Sequence, residues 1–565
     1  MTRNQQSVTT LILTLMTLAV NAQVAPDIIL LNGKIVTVDD YFSIQSAVAF
    51  SGERVSAVGS DDEIASMAGT DTDVIDLNGR TVIPGLIDNH NHIIRATEYW
   101  PNEARLDGVN SRIAALSILE EKANSLPENE WLMSLGGWTE NQFIGNRDDF
   151  TLAELDELSG GRPAFIQSTY DHAFVNTPWL DAMDIPVVAS REQRDAAIGL
   201  ASHVVRDETG RATGRMNGGI GMVALAIERF PEVSAERQAD AIKTAYSYLN
   251  SIGLTSIYDP AGVGISPESY VRINALADRG EATVRMFHTL GGGVPSTPEE
   301  AAVVVEQIRA ARPFQGNEIV DLLAVGEIYY GPFHWDSLFE PRRPNAEDLA
   351  AGRSILAAAA EGGWQAQTHA SQPETIDTLL DVMEDINEEY PLRQLRWSVT
   401  HADLVGPEQL ERMRHLGMNL QLRSVSVLTQ PRRYRLLDEL GEEALHIPPL
   451  RLVQDSGVPW GLGTDGTKAT QINPFVTLWW AVSGLALNGD RVLVETLTRE
   501  EALIAHTRSN AYLMFQENNI GSIEPGLLAD MLVLDRDYLT VDESEIKDIL
   551  PVATIFNGEI VWGEL

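Results

Sequence analysis

The sequence contains no cysteine. That absence excludes disulfides, thiolate metal ligands and cysteine nucleophiles, so any metal bound here must use nitrogen and oxygen donors. Lysine is also scarce, being confined to Lys34, Lys122, Lys243, Lys468 and Lys547. Long apolar runs are missing as well. Beyond residues 1–22, no stretch reaches the roughly 18 uninterrupted apolar residues of a membrane span, which argues against stable membrane insertion. Basic residues number 41 against 81 acidic ones, a formal net charge of −40 over 565 residues. Such a surface repels nucleic acid and anionic lipid. The acidic residues are spread through helix-like segments such as 374–389, so they read as a solubility device and not as an acidic tail.

Residues 1–22 have the form of a secretory signal: Arg3 is the only charge, an apolar core runs from Leu11 to Val20, and small residues precede Gln23. The competing reading is a buried first helix. With no cysteine after the core, a lipoprotein anchor is excluded, and the expected location is periplasmic or secreted. Residues 23–80 and 516–565 are rich in short strands. Hairpins are expected around Asn32-Gly33, Ser51-Gly52-Glu53, Asn78-Gly79 and Asn557-Gly558. Strand-rich pieces at both ends suggest one small β-sandwich formed by both termini.

Between residues 81 and 515, β-rich runs alternate with helical patterns, which points to a parallel α/β fold. Eight candidate strands, at 82–92, 254–260, 283–290, 322–331, 364–370, 396–403, 418–424 and 459–466, suit a (β/α)8 TIM-like barrel. The interval from about 95 to 245 is too long for one crossover. It carries strands of its own at 131–137 and 162–169, so an inserted subdomain over the barrel mouth is expected.

The run Thr81-Val-Ile-Pro-Gly-Leu-Ile-Asp-Asn-His-Asn-His92 ends in two histidines one residue apart. On a strand they share a face, and in a barrel both point into the mouth. The other predicted strand ends carry Glu327, within strand 4, and His369, His401 and Asp465. Four of the eleven histidines therefore gather at one end of the barrel. Four imidazoles and two carboxylates suffice for two divalent ions and a shared water whose pKa the metals lower. Asp465 would shuttle the proton to the leaving group.

The sequence resembles the amidohydrolase superfamily, specifically its amidohydrolase-3 (YtcJ-like) branch. The resemblance rests on 32–39, 82–92, Gly136-Gly-Trp138, Asp171-His172 with Asn176, Thr400-His401-Ala402, Gly463-Thr-Asp465 and Gly521-Ser-Ile-Glu-Pro-Gly526 with Ala529-Asp530. It implies a metal-dependent hydrolase of non-peptide C–N bonds in amides, formamides or cyclic amides, acting on a small-molecule substrate by attack of metal-bound hydroxide on a carbonyl. It also implies His90, His92, His369, His401 and Asp465 as metal-site positions. Zinc suits these donors best, with manganese, iron or cobalt open.

Three departures stand out. Many relatives bridge two ions with a carboxylated lysine on strand 4, yet no lysine lies on any predicted barrel strand. Glu327 stands there instead and is several bonds shorter, so the choice is between a strand closer to the metals, with two ions, and a one-ion site. The turn after His369 is Ala-Ser-Gln-Pro, and Thr213-Gly214-Arg215 lacks the usual acidic residue; both are expected to reshape the substrate pocket.

His172 matches a histidine that can donate to the substrate carbonyl, with a structural role as the alternative. Trp138, Tyr329 and Trp335 are candidate pocket aromatics. An esterase or lactonase on the same site, and a noncatalytic metal- or ligand-binding protein, are the competing functions, and a homodimer is left open.

Overall fold

The computed structural model describes residues 25–262, 265–291, 293–424 and 432–565, so the expected leader at 1–22 lies outside the described residues. Eight parallel strands follow one another around the sheet in chain order: β1 (Leu86–Asp88), β2 (Leu254–Asp259), β3 (Arg285–Leu290), β4 (Val320–Val325), β5 (Gln365–Ala370), β6 (Ser398–His401), β7 (Asn419–Arg423) and β8 (Trp460–Gly463). All eight expected strands are there. Every residue of β2 is buried, as expected for a parallel strand covered on both faces. Helices such as Pro373–Asn387 supply the outer layer, burying Ile376, Leu379, Leu380 and Met383 against the sheet.

Closure between β1 and β8 is made by side chains and by the turns beyond the strands. Asp88 accepts from Thr464 N at 3.0 Å and from Asn91 Nδ2 at 2.8 Å. Past the strand ends, Asp465 N donates to His90 O at 2.8 Å and His92 N to Gly466 O at 2.6 Å. Asp88 thus ties the first strand to the last and holds the turn that carries both histidines.

The run 82–92 is two strands and not one. Thr81–Pro84 pairs with Lys34–Val36 and Met531–Leu534 in a six-stranded sheet, and the chain enters the barrel only after Gly85. Gly85 is the pivot because a Cβ there would lie 2.2 Å from Thr255 Oγ1. The six-stranded sheet mixes strands from both termini, and a four-stranded sheet from the N-terminal part stacks on it. Leu30, Val48 and Phe50 meet Val82, Met531 and Ile555 between them.

Hairpins form at 51–53 and at Asn557-Gly558. Those expected at Asn32-Gly33 and Asn78-Gly79 do not. Ile28–Leu31 pairs with Ala47–Ser51 and Asp73–Asp76, whereas Lys34–Val36 pairs with Ile44–Gln45 and Thr81–Pro84. Each Asn-Gly therefore carries the chain from one sheet to the other. Positive φ at Asn32 (53°) and Asn78 (51°) serves a corner as well as a hairpin, so the local signal is the same.

Between β1 and β2 the chain builds a five-stranded sheet, ordered Val204–Arg206, Ala212–Asn217, His172–Val175, Ala164–Ser168, Leu132–Leu135. The sequence pattern identified only the last two of these. Ala212–Asn217 alternates buried with exposed positions, and its exposed residues interrupt the apolar signal. Tyr170, Asp171, Gly219 and Ile220 from this layer reach over the barrel mouth.

Candidate metal centre

Glu327 lies two residues beyond β4, not within it. Gly326 makes this possible: its φ is +146°, and a Cβ there would meet Gln367 O at 2.2 Å, so the chain after β4 lies directly against β5. Glu327 N then donates to Pro260 O at 2.9 Å, and Glu327 O accepts from His369 N at 3.2 Å. The backbone itself carries the short side chain inward.

The two oxygens of Glu327 meet all four histidines. Oε1 is 3.2 Å from His92 Nε2. Oε2 is 3.4 Å from His90 Nε2, 3.4 Å from His369 Nδ1 and 3.1 Å from His401 Nε2. Asp465 Oδ1 lies 3.3 Å from His92 Nε2 and 3.8 Å from His90 Nε2. His401 and Asp465 both adopt left-handed backbone, with φ of 74° and 59°, an arrangement worth roughly 1–3 kcal/mol of strain each. The surrounding barrel holds that strain in place.

These residues fit divalent cations. Donors about 2.0–2.1 Å from one tetrahedral ion stand about 3.3–3.4 Å apart, close to the gaps seen here. Both ring nitrogens of His90 and Nδ1 of His401 are buried without a hydrogen bond. Two donor triads have their atoms within ion-binding reach, His90/His92/Asp465 and His90/Glu327/His401.

Electrostatics keep the carboxylates ionised. Burial opposes charge on Glu327, but His90, His369 and His92 outweigh it and hold the carboxyl well below its usual range. Burial also opposes charge on Asp465, yet Arg423 and the two strand-1 histidines bring it down to about 2. Burial lowers His90 to about 4. For His92, burial and Arg95 work against the proton, but Asp465 and Glu327 prevail and raise it to about 9.

A cavity of about 380 Å³ opens onto this cluster. Trp335 lines it, as expected, together with Ile220, Leu338, Tyr170 and Ser371 of the altered turn after His369. The other expected pocket residues do not. Trp138 is fully buried in the inserted layer, its ring 5.3 Å from that of Phe150 and 5.8 Å from that of Phe143. Tyr329 packs 4.2 Å from the His334 ring and shares a 3.2 Å hydrogen bond with Thr368. His172 is absent from the cavity wall, and its Nε2 meets Glu140 Oε1 at 2.7 Å. Its geometry is that of a residue fixing the inserted layer.

Besides Tyr170, pattern reading missed three residues at the site. Arg423, at the end of β7, pairs through Nη1 with Asp465 Oδ2 and sits 3.6 Å from Asp403. An arginine at the C-terminal end of a barrel strand is itself a usable signal. Arg95 Nη2 lies 2.8 Å from His92 Nδ1 and donates to Ala261 O at 2.7 Å, while its Nη1 donates to the Tyr170 hydroxyl at 3.4 Å. Asp336 caps the turn after β5 through Ser371 N and Gln372 N, both at 2.8 Å, and burial lifts its carboxyl to about 6.

A (β/α)8 barrel whose mouth gathers four histidines and two carboxylates at donor spacing defines a metal-dependent hydrolase. Comparison with known proteins makes the assignment specific. The Amidohydrolase family model matches residues 73–562, and the chain belongs to that family. The chain is 27% identical over 570 residues to N-substituted formamide deformylase of Arthrobacter pascens, covering 94% of this chain and 97% of the relative. It is 25% identical to the putative amidohydrolase YtcJ of Bacillus subtilis, over 90% of this chain and 96% of that one. Its fold matches an uncharacterized metal-dependent hydrolase of Pyrococcus horikoshii with a TM-score of 0.60, at 21% identity, covering 92% of this chain and 99% of that chain.

Proposed function

We propose that this enzyme hydrolyses N-substituted formamides or closely related small amides at a two-ion centre, with zinc the favoured metal. One observation carries the two-ion reading: Glu327 presents one oxygen to His92 and the other to His90, His369 and His401, the position of a bridging ligand. Divalent ions held by these residues would supply polarisation of the substrate carbonyl and a water of lowered pKa.

Asp465, whose Oδ1 faces His92 and His90, would accept a proton from the attacking water and return it to the leaving nitrogen. Arg423 disfavours a lasting proton there, and Asp403 at 3.6 Å gives the guanidinium a second partner while Asp465 is neutral. Burial keeps the Tyr170 phenol protonated, and its hydroxyl, with Arg95 behind it, is placed to donate to the carbonyl oxygen as charge develops. The resemblance implies this role for His172, which the structure pairs with Glu140 instead. Ile220, Trp335 and Leu338 offer an apolar wall to the nitrogen substituent. The formamide class is supported by the relative identical at 27% over nearly the whole chain.

The test is turnover by metal-loaded protein of N-benzylformamide, N-acyl amino acids, cyclic amides and aryl esters, beside Asp465→Asn. Formamide cleavage that falls about 10³-fold in the variant is expected. Preferred ester cleavage, or turnover that persists in Asp465→Asn, overturns the assignment.

We also propose export, with cleavage after about Ala22, supported by the residue pattern of 1–22. N-terminal sequencing of the protein from its native host should begin near Gln23.

A further inference from the structure

Lys468, three residues past Asp465, is buried at 9% exposure beside a second cavity, of about 330 Å³. Its backbone is fixed by the inserted layer: Gly137 N donates to Lys468 O at 2.9 Å, and Gly136 has no room for a Cβ, which would stand 2.4 Å from the same oxygen. Its ammonium makes no hydrogen bond or ion pair among the described residues. Glu103 and Glu98 act on it only from a distance, and burial pulls it down to about 8. Glu103 Oε1 accepts from Arg105 Nη1 at 2.7 Å and Leu135 N at 3.1 Å, while its Oε2 is buried without a hydrogen bond and makes none to Lys468.

Arg95 belongs to the walls of both cavities, and its Nε is buried without a hydrogen bond. Exposed Arg272 stands at the rim. Against these three cations the wall offers one carboxylate, Glu98, which already accepts from Gln238 Nε2 at 3.0 Å. The rest of the wall combines the apolar Ile94, Ile227, Ile242 and Ile265 with the neutral polar Thr97, Gln238 and Ser269. An unpaired ammonium largely withdrawn from water, at the wall of a cavity, is stabilised by an anion beside it.

We infer that this cavity is a binding site for a small carboxylate with a short apolar tail, the anion paired with Lys468 and Arg95 and the tail against Ile227, Ile242 and Ile265. The isoleucines favour an aliphatic carboxylate over a bare inorganic anion such as phosphate, which would leave them facing water. The cavity is distinct from the one that opens onto the metal cluster, with Arg95 as the wall residue they share, and it does not depend on which amide is hydrolysed. Its occupant shares Arg95 with His92, so binding acts on the guanidinium that touches a metal-site histidine.

Calorimetric titration of the metal-loaded full chain with isovalerate, and separately with inorganic phosphate, at constant ionic strength tests this. Saturable binding of isovalerate at one per chain is expected, tighter than phosphate. Lys468→Met should weaken it by at least about tenfold and Arg272→Gln by about threefold, with metal content unchanged. Arg272 is exposed, so that variant carries the test if Lys468→Met folds poorly. Three results overturn the proposal: no saturable binding, tighter binding of phosphate, or isovalerate binding unchanged in the variants. The last would place the carboxylate on the metals.

Discussion

Oε2 of Glu327 lies 3.1 Å from Nε2 of His401. The other oxygen of the same carboxylate reaches His92 across the barrel mouth, so one side chain joins the strand-1 histidines to those of β5 and β6. Glu327→Gln keeps the shape and removes the charge. Bound zinc should fall by roughly one ion per chain, with activity lost. Elemental analysis of dialysed protein decides it, and full retention of both ions would remove the bridging role.

Arg423 holds Asp465 ionised from the side away from the histidines. In Arg423→Met, Asp465 loses that cation, so it protonates at higher pH. The acid limb of kcat/KM should move to higher pH, with the alkaline limb unchanged. An unmoved acid limb would show that Arg423 does not govern the shuttle.

Chelator-treated protein should be most stable near pH 6.5. The pKa of His92 in the folded chain, about 9, lies above its ordinary 6.5, so its stabilisation is complete below 6.5 and is lost as pH rises through 9. His90, His288 and His506 at about 4, and His334 at about 3, are depressed by burial, so they favour the fold above 6.5 and withdraw that support as pH falls. Zinc binding requires neutral His92, so added zinc should abolish the alkaline loss. Thermal melts from pH 5 to 9.5, with and without metal, read both effects.

His172→Gln should leave kcat within about threefold of the parent while lowering Tm, because the pair with Glu140 at 2.7 Å fixes the inserted layer and not a reacting atom. A loss near 10³-fold in kcat with an unchanged fold would restore the catalytic reading.

Gly85→Ala should cost about 1–3 kcal/mol in denaturant unfolding, since its Cβ would meet Thr255 Oγ1 at 2.2 Å where the chain passes from sandwich to barrel. Glycines without near neighbours, such as Gly145, have that space free. Their substitution carries only the backbone penalty of positive φ.

The metal donors were legible because their evidence is local: His-x-His after an apolar run, and single histidines or acids at the ends of short β-rich segments. The barrel was legible for the same reason, since alternation of strand and helix is written along the chain. The aromatics were not. Trp138 and Trp335 look alike in sequence, yet one stacks on Phe150 inside the inserted layer and the other lines the cavity. Nor do Asn32-Gly33 and Asn557-Gly558 differ in type, although one turns a corner between sheets and the other a hairpin.

By itself, the sequence determined the donor chemistry, the parallel α/β architecture and the residues able to bind metal, because residue type and short-range periodicity set these. Tertiary structure alone decided that the short Glu327 reaches all four histidines, because its reach depends on Gly326 lying against Gln367 of the neighbouring strand. It also decided that Arg95, Arg423 and Tyr170 join the site while His172, Trp138 and Tyr329 stand apart. Those relationships link residues up to hundreds of positions apart, and only the closed barrel and the layer folded over its mouth bring them into contact.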